Sequence, residues 1–288
     1  MTGIYEHSYI DIDEIRLHVV TAGDPHGLPV VLLHGFPEFW YGWRRQIPVL
    51  AAAGFRVIVP DQRGYNLSAK PTGVEAYRLQ ALSGDILGLI DHFGLEKVCL
   101  AGHDWGAMVA WDLAIHHSSR IERLAILNVP HPRVFWDYLH RSPRQMLKSW
   151  YAGFFQVPAL PEMLLRLGHF GPLARLLISS GKPGTFASNE MEEYKNAWAQ
   201  PGALTAMLNW YRAAFRYRGG WKGDWHVHVP TLILWGQQDV ALSAAMAPES
   251  LAYCDHGRLI TFENASHWVQ LDEAEAVSRN LREFFLST

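Results

Sequence analysis

Six short apolar runs in this chain each end in a polar or glycine-bearing turn, and that recurrence confines it to a narrow set of folds. Val30-Val31-Leu32-Leu33 is followed by His34-Gly35, Arg56-Val57-Ile58-Val59 leads into Asp61-Gln62-Arg63-Gly64, and Val98-Cys99-Leu100-Ala101 leads into Gly102-His103-Asp104. Leu124-Ala125-Ile126-Leu127 precedes Asn128, Thr231-Leu232-Ile233-Leu234-Trp235 precedes Gly236-Gln237-Gln238-Asp239, and Arg258-Leu259-Ile260-Thr261-Phe262 precedes Asn264-Ala265-Ser266-His267. Near-continuous apolar runs are what strands buried on both faces require. They alternate with helical patterns, so a largely parallel α/β sheet is predicted. Tyr9-Ile10-Asp11-Ile12 and Ile15-Arg16-Leu17-His18-Val19-Val20 alternate with period two around Asp13-Glu14 and read as an antiparallel edge hairpin, making eight strands. In open parallel sheets ligands bind beyond the carboxyl ends of the strands, where these polar residues collect.

One gap breaks the alternation. Between Leu127 and Thr231 lie about a hundred residues without a convincing strand, too many for a structureless loop. Helical patterns fill the gap at Ser142 to Phe155, Leu160 to Leu167, Leu173 to Ile178, Glu190 to Gln200 and Gly202 to Arg218, punctuated by prolines. The expected organisation is a core of residues 1–131 and 226–288, with residues 132–225 inserted between strands six and seven as a helical lid over the crevice.

Gly102-His103-Asp104-Trp105-Gly106 follows a strand and precedes a helix-compatible run, placed from Gly106 to His117. A strand-to-helix turn flanked by glycines lifts its central side chain above the sheet edge. Asp104 is therefore a candidate nucleophile, the alternative being a helix N-cap. An aspartate that attacks a saturated carbon forms an ester that water can cleave, whereas a serine would form an inert ether. Epoxides and alkyl halides are the substrates this chemistry suits.

The second step needs a base to activate water and an acid to orient that base. His267 follows the last strand, before a helix placed from Asp272 to Leu286, and Asp239 follows the strand before it. Nucleophile, acid and histidine thus stand in one of the chain orders used by catalytic triads. Asn128, after the preceding strand, cannot supply a charged partner, which leaves Asp239. The developing oxyanion would be met by the backbone N–H groups of Trp105 and Phe36.

The composition excludes several classes. A chain of 288 residues, 49% hydrophobic and 18% charged, buries one large core. Its net charge of −3 gives no electrostatic reason to expect nucleic acid or an anionic membrane as partner. Two cysteines, Cys99 and Cys254, do not form a disulfide framework, and no leader or membrane-spanning run is visible, so a cytoplasmic location is expected. His226-Val227-His228 would share a strand face but lacks a nearby cysteine or acidic partner set, so no metal site is expected.

His34-Gly35-Phe36-Pro37-Glu38, Asp61-Gln62-Arg63-Gly64-Tyr65-Asn66-Leu67-Ser68 and Gly102-His103-Asp104-Trp105-Gly106-Ala107 resemble the signature segments of α/β-hydrolase-fold epoxide hydrolases. The resemblance extends through Gln237, Asp239 and His267. It implies a cis Phe36-Pro37 peptide, no cofactor, and an apolar epoxide and water as reactants, in a monomer or homodimer. It also implies two lid tyrosines as proton donors to the opening ring, matched here by Tyr211 in Asn209-Trp210-Tyr211-Arg212 and Tyr151 in Trp150-Tyr151-Ala152-Gly153. Phe36, Trp105, Trp150, Phe154, Phe155 and Trp210 are the expected pocket lining. Haloalkane dehalogenases share Asp104, Trp105 and His267 but commonly bind halide through an asparagine at the position of Phe36 or elsewhere near the site. Fluoroacetate dehalogenases carry arginines at the positions of Trp105 and Met108. Both departures favour the epoxide reading over a dehalogenase, and a complete triad disfavours a silent receptor. His34, His103 and Glu38 are read as support for the loops, and His131 as part of the lid hinge.

Overall fold

In the computed structural model, which describes residues 5–217 and 223–287, eight strands form one sheet in the order β1-β2-β4-β3-β5-β6-β7-β8. They are β1 (Glu6–Ile12), β2 (Ile15–Gly23), β3 (Leu28–Leu33), β4 (Phe55–Pro60), β5 (Val98–His103), β6 (Ile121–Leu127), β7 (Thr231–Gly236) and β8 (Gly257–Phe262). β1 pairs antiparallel with β2, and β2 antiparallel with β4; every other pairing is parallel. Eight strands with an antiparallel edge hairpin is the architecture the runs predict.

Period-two burial explains the layers. Val31, Leu33 and Leu100 face α2 (Leu79–His92) and α3 (Trp105–His116), packing against Leu82, Ile86, Val109 and Leu113. Val30, Leu32 and Cys99 face the other way, onto α1 (Ile47–Ala52) and α12 (Ala274–Leu286), against Ile47, Leu50, Val277 and Leu281. Both faces are therefore covered, as a parallel sheet demands.

Between β6 and β7 the chain carries α4 (Pro132–Arg141), α5 (Pro143–Lys148), α6 (Trp150–Phe154), α7 (Leu160–Ser180), α8 (Ser188–Trp198) and α9 (Ala203–Arg216). Two boundaries depart from the sequence reading. α4 was not anticipated: Pro132 fits its first turn, and His131 Nδ1 accepts from the Arg133 N–H at 3.2 Å. The single helix expected over Ser142 to Phe155 is two, separated at Ser149. The break expected between Leu167 and Leu173 is present: within α7 the backbone of Leu167, Gly168, His169 and Phe170 is non-helical, the last three with φ between 53° and 60°. The end of the last expected helix, Arg218, lies outside the described residues.

Beyond β7, α10 (Met246–Ser250) and α11 (Val269–Asp272) flank the segments that carry Asp239 and His267. Among the described residues no helix is long and apolar enough to cross a membrane. His226 and His228 do not lie on a strand: only Val227 bridges, to Cys254. Contrary to the sequence reading they do have acidic neighbours, Asp255 at 2.6 Å from His228 and 3.6 Å from His226, brought there by the turn before β8.

Candidate active site

β3 and β5 are neighbours with parallel register, so the turns that leave their carboxyl ends lie side by side. The turn after β5 bends through Asp104, whose φ of 50° and ψ of −125° are unusual for a residue with a side chain. The flanking glycines serve space here, not backbone freedom. A Cβ on Gly106 would meet the Leu33 carbonyl oxygen at 2.3 Å, and one on Gly35 would meet Asp104 Oδ1 at the same distance. α3 can therefore start hard against the end of β3. Asp104 occupies the N-cap position but makes no side-chain cap bond; its carboxylate turns instead to the Phe36 N–H, 2.7 Å away. Asp104 therefore does not act as a side-chain helix cap. The Trp105 N–H opens α3 on the other side, and the first N–H groups of a helix have no intrahelical acceptor. The Phe36-Pro37 peptide is cis.

The turns after β7 and β8 bring the other two residues in. His267 places Nδ1 2.7 Å from Asp239 Oδ2 and Nε2 3.4 Å from Asp104 Oδ2. Asp239 is held by four donors: the N–H groups of Ala241 and Leu242 at 2.7 and 2.8 Å on Oδ1, and Asn128 at 2.8 Å with His267 on Oδ2. Asn128 was weighed in the sequence only as a rival acid. Its placement after β6, next to β7, makes it a support for Asp239 instead, and its Oδ1 also accepts from Gly236 N–H at 2.8 Å.

Electrostatics follow from this packing. Burial alone would raise the Asp104 carboxyl, but the hydrogen bond and charge of His267, with His103 and the Phe36 N–H, hold it below the usual carboxylate range. Burial likewise opposes the ionised form of Asp239, and His267, the Leu242 N–H and Asn128 outweigh it and lower its pKa. For His267 burial would favour the neutral ring, yet Asp239 and Asp104 push it up to about 10. The imidazole is thus a cation held between two carboxylates.

Tyr151 and Tyr211 come from α6 and α9, and both line the two cavities that meet at Asp104. Their rings are 6.0 Å apart, and Tyr211 sits edge-on to Trp105 at 5.0 Å and to Phe36 at 5.3 Å. Burial first, then the Asp104 charge, raises both hydroxyls above the ordinary tyrosine value. They stay protonated and able to donate.

The inner cavity, about 130 Å³, is lined by Trp105, Met108, Phe135, Trp136, Leu139 and Leu242; the outer one opens past Phe36, Phe155, Trp150 and His267. Phe135, Trp136 and Leu139 were missed in the sequence because α4 was missed. Phe154 lines neither cavity and packs on Trp150 and Phe155. Trp210 lies behind Trp105, ring centroids 5.9 Å apart, its indole N–H donating to the Arg63 carbonyl.

A polar layer lies beneath. His103 Nε2 donates to the His267 carbonyl at 2.9 Å, its Nδ1 accepts from Gln270, and Gln270 also donates to Glu38. Tyr194 of α8 donates to Glu38 at 2.9 Å, and Arg44 pairs with Glu190 of α8 at 2.7 Å. His34 accepts from the Gln62 N–H at 3.0 Å and anchors its loop.

Comparison with known proteins agrees with this architecture. The profile of the alpha/beta hydrolase fold family matches residues 29–274. The chain is 45% identical over 276 residues to the AB hydrolase superfamily protein YfhM of Bacillus subtilis (strain 168), covering 96% of each. It is 37% identical to Epoxide hydrolase 4 of Mus musculus, over 94% of this chain and 77% of that one. The crystal structure of Bacillus megaterium epoxide hydrolase in complex with an inhibitor superposes with a TM-score of 0.90 at 29% identity, covering 97% of this chain and all of the other. With its sheet, its turns and these relatives together, the chain belongs to the epoxide hydrolase family of α/β-fold hydrolases.

Proposed function

We propose that the protein converts apolar epoxides to vicinal diols through an ester on Asp104, with residues 132–225 acting as a cap over a core of residues 1–131 and 226–288. The observation that carries this reading is the Asp104 carboxylate fixed by the Phe36 N–H at 2.7 Å, in the cavities that Tyr151 and Tyr211 line.

An Asp104 oxygen attacks one epoxide carbon as the carbon–oxygen bond of the ring breaks, and the leaving oxygen takes a proton from Tyr151 or Tyr211. Esterification removes the charge of Asp104, and with it part of what holds the proton on His267. The ring gives its proton up more readily, to the tyrosinate left by ring opening, and neutral His267, oriented by Asp239, takes a proton from water as that water attacks the Asp104 carbonyl carbon. Charge on the carbonyl oxygen is met by the N–H groups of Phe36 and Trp105. Collapse releases the diol oxygen, which takes the proton of the new Asp104 carboxyl group, so Asp104 regains its carboxylate and His267 keeps the proton taken from water.

Two apolar cavities meeting at one carboxylate favour epoxides that carry an aryl or alkyl group, which the inner cavity seats. A single turnover in heavy-oxygen water tests the ester. The expected result is unlabelled diol with the label in the peptide carrying Asp104; label in the first diol released would overturn it.

A further inference from the structure

The exposed apolar side chains of this protein are not scattered. Of seventeen large hydrophobic residues exposed among the described residues, ten lie between Met146 and Ile178. Leu147 is 75% exposed, Trp150 64% and Leu176 43%, and together with Val240 at 54% they rim the mouth of the outer cavity that reaches Asp104. Scattered single hydrophobes are normal on a surface, but a rim of them around one opening is not.

The charge around this rim is equally one-sided. From Arg141 to Lys182 there are six Lys and Arg and a single carboxylate, Glu162, in a chain whose net charge is −3. Glu162 is neutralised by Arg212, 2.7 Å away. Arg141 and Lys182 pair with Glu249 and Glu273, while Arg144 at the mouth and Arg175 beside Leu176 are exposed and, among the described residues, have no carboxylate within 4.0 Å. The overall negative balance hides this local excess of cations.

Exposed apolar groups interleaved with unpaired cations complement an anionic lipid surface, which offers acyl chains to the former and phosphates to the latter. A second copy of the chain, whose remaining residues carry the compensating negative charge, is the other occupant such a rim could meet. We propose that the rim of the active-site mouth is a docking surface for an anionic phospholipid bilayer, so that an apolar substrate passes from lipid into the outer cavity without crossing water. The proposal rests on the epoxide reading only for the identity of that substrate.

Co-sedimentation with vesicles of phosphatidylglycerol and phosphatidylcholine, against phosphatidylcholine alone, tests it without reference to turnover. The wild type is expected to pellet with the anionic vesicles at low salt, to be released by high salt, and to remain in solution with the neutral ones. The doubly substituted Leu147→Glu, Leu176→Glu chain, checked for folding by circular dichroism, should lose vesicle binding. Arg144→Glu, at an exposed position, should weaken binding at least about fivefold. Wild type that stays in the supernatant, or binding unchanged in both variants, overturns the proposal. So does a dimer in sedimentation velocity that the double substitution dissociates while vesicles are ignored, because the rim is then an interface between copies.

Discussion

His267 holds its Nε2 3.4 Å from Asp104 Oδ2, which places the proposed base directly against the proposed nucleophile. The two share their electrostatics, so the chemical state of one sets the proton affinity of the other. While Asp104 is ionised, His267 is held at about 10 and is a cation at neutral pH. Once Asp104 is an ester that support is gone.

Hydrolysis of the ester should therefore rise with pH and level off at an apparent pKa below the value of about 10 in the free enzyme. The sign follows from the neutral ring being the base. Ester formation should persist into acid, because the Asp104 carboxyl lies below the usual range and the tyrosines remain protonated. Stopped-flow fluorescence, with Trp105 next to Asp104, separates the two phases in single turnovers. A hydrolysis phase that slows as pH rises would sink this coupling.

Removing the base should trap the intermediate. His267→Gln is expected to lower turnover roughly 10⁴-fold and to accumulate a protein heavier by the mass of one substrate, visible by intact mass spectrometry. Asp239→Asn should cost a similar factor. Asn128→Ala removes one of the donors to Asp239 and should cost roughly tenfold, with the loss in hydrolysis and not in ester formation.

Tyr151→Phe and Tyr211→Phe should each slow ring opening by about a hundredfold, and the double substitution should abolish it, since a neutral donor is worth at least that much. Thermal melts of both single variants should be unchanged. Retained epoxide turnover in the double variant would remove the tyrosines from the mechanism.

Arg44 and Glu190 tie α8 to the segment after β3, with both side chains nearly buried at 7% and 10% exposure. Breaking a buried pair leaves an uncompensated charge, so Glu190→Gln should destabilise the fold by about 3 kcal/mol. Urea denaturation measures the change; a loss below that of an ordinary surface substitution would show that Arg44 finds another partner.

Much of this was legible along the chain. The apolar runs fix the strands because a residue buried on both sides of a sheet must be apolar, and each polar turn after a run marks a carboxyl end. Asp104, Asp239 and His267 could be named because each follows its own strand. What the chain could not say alone is which turns meet. That is set by the order β3-β5-β6-β7-β8, which lays Phe36 beside Asp104 and Asn128 beside Asp239. The boundaries of α4 and the break between α5 and α6 escaped because short helices are held by caps and by packing on the core, not by a long apolar stripe. Only the folded chain decides that Asp104 spends its carboxylate on the Phe36 N–H and not on a helix cap, because that choice depends on a backbone bend and on a partner sixty-eight residues away. The rim at the mouth has the same origin: net charge is a property of the sequence, but where its cations stand relative to exposed apolar groups is a property of the surface that tertiary packing leaves.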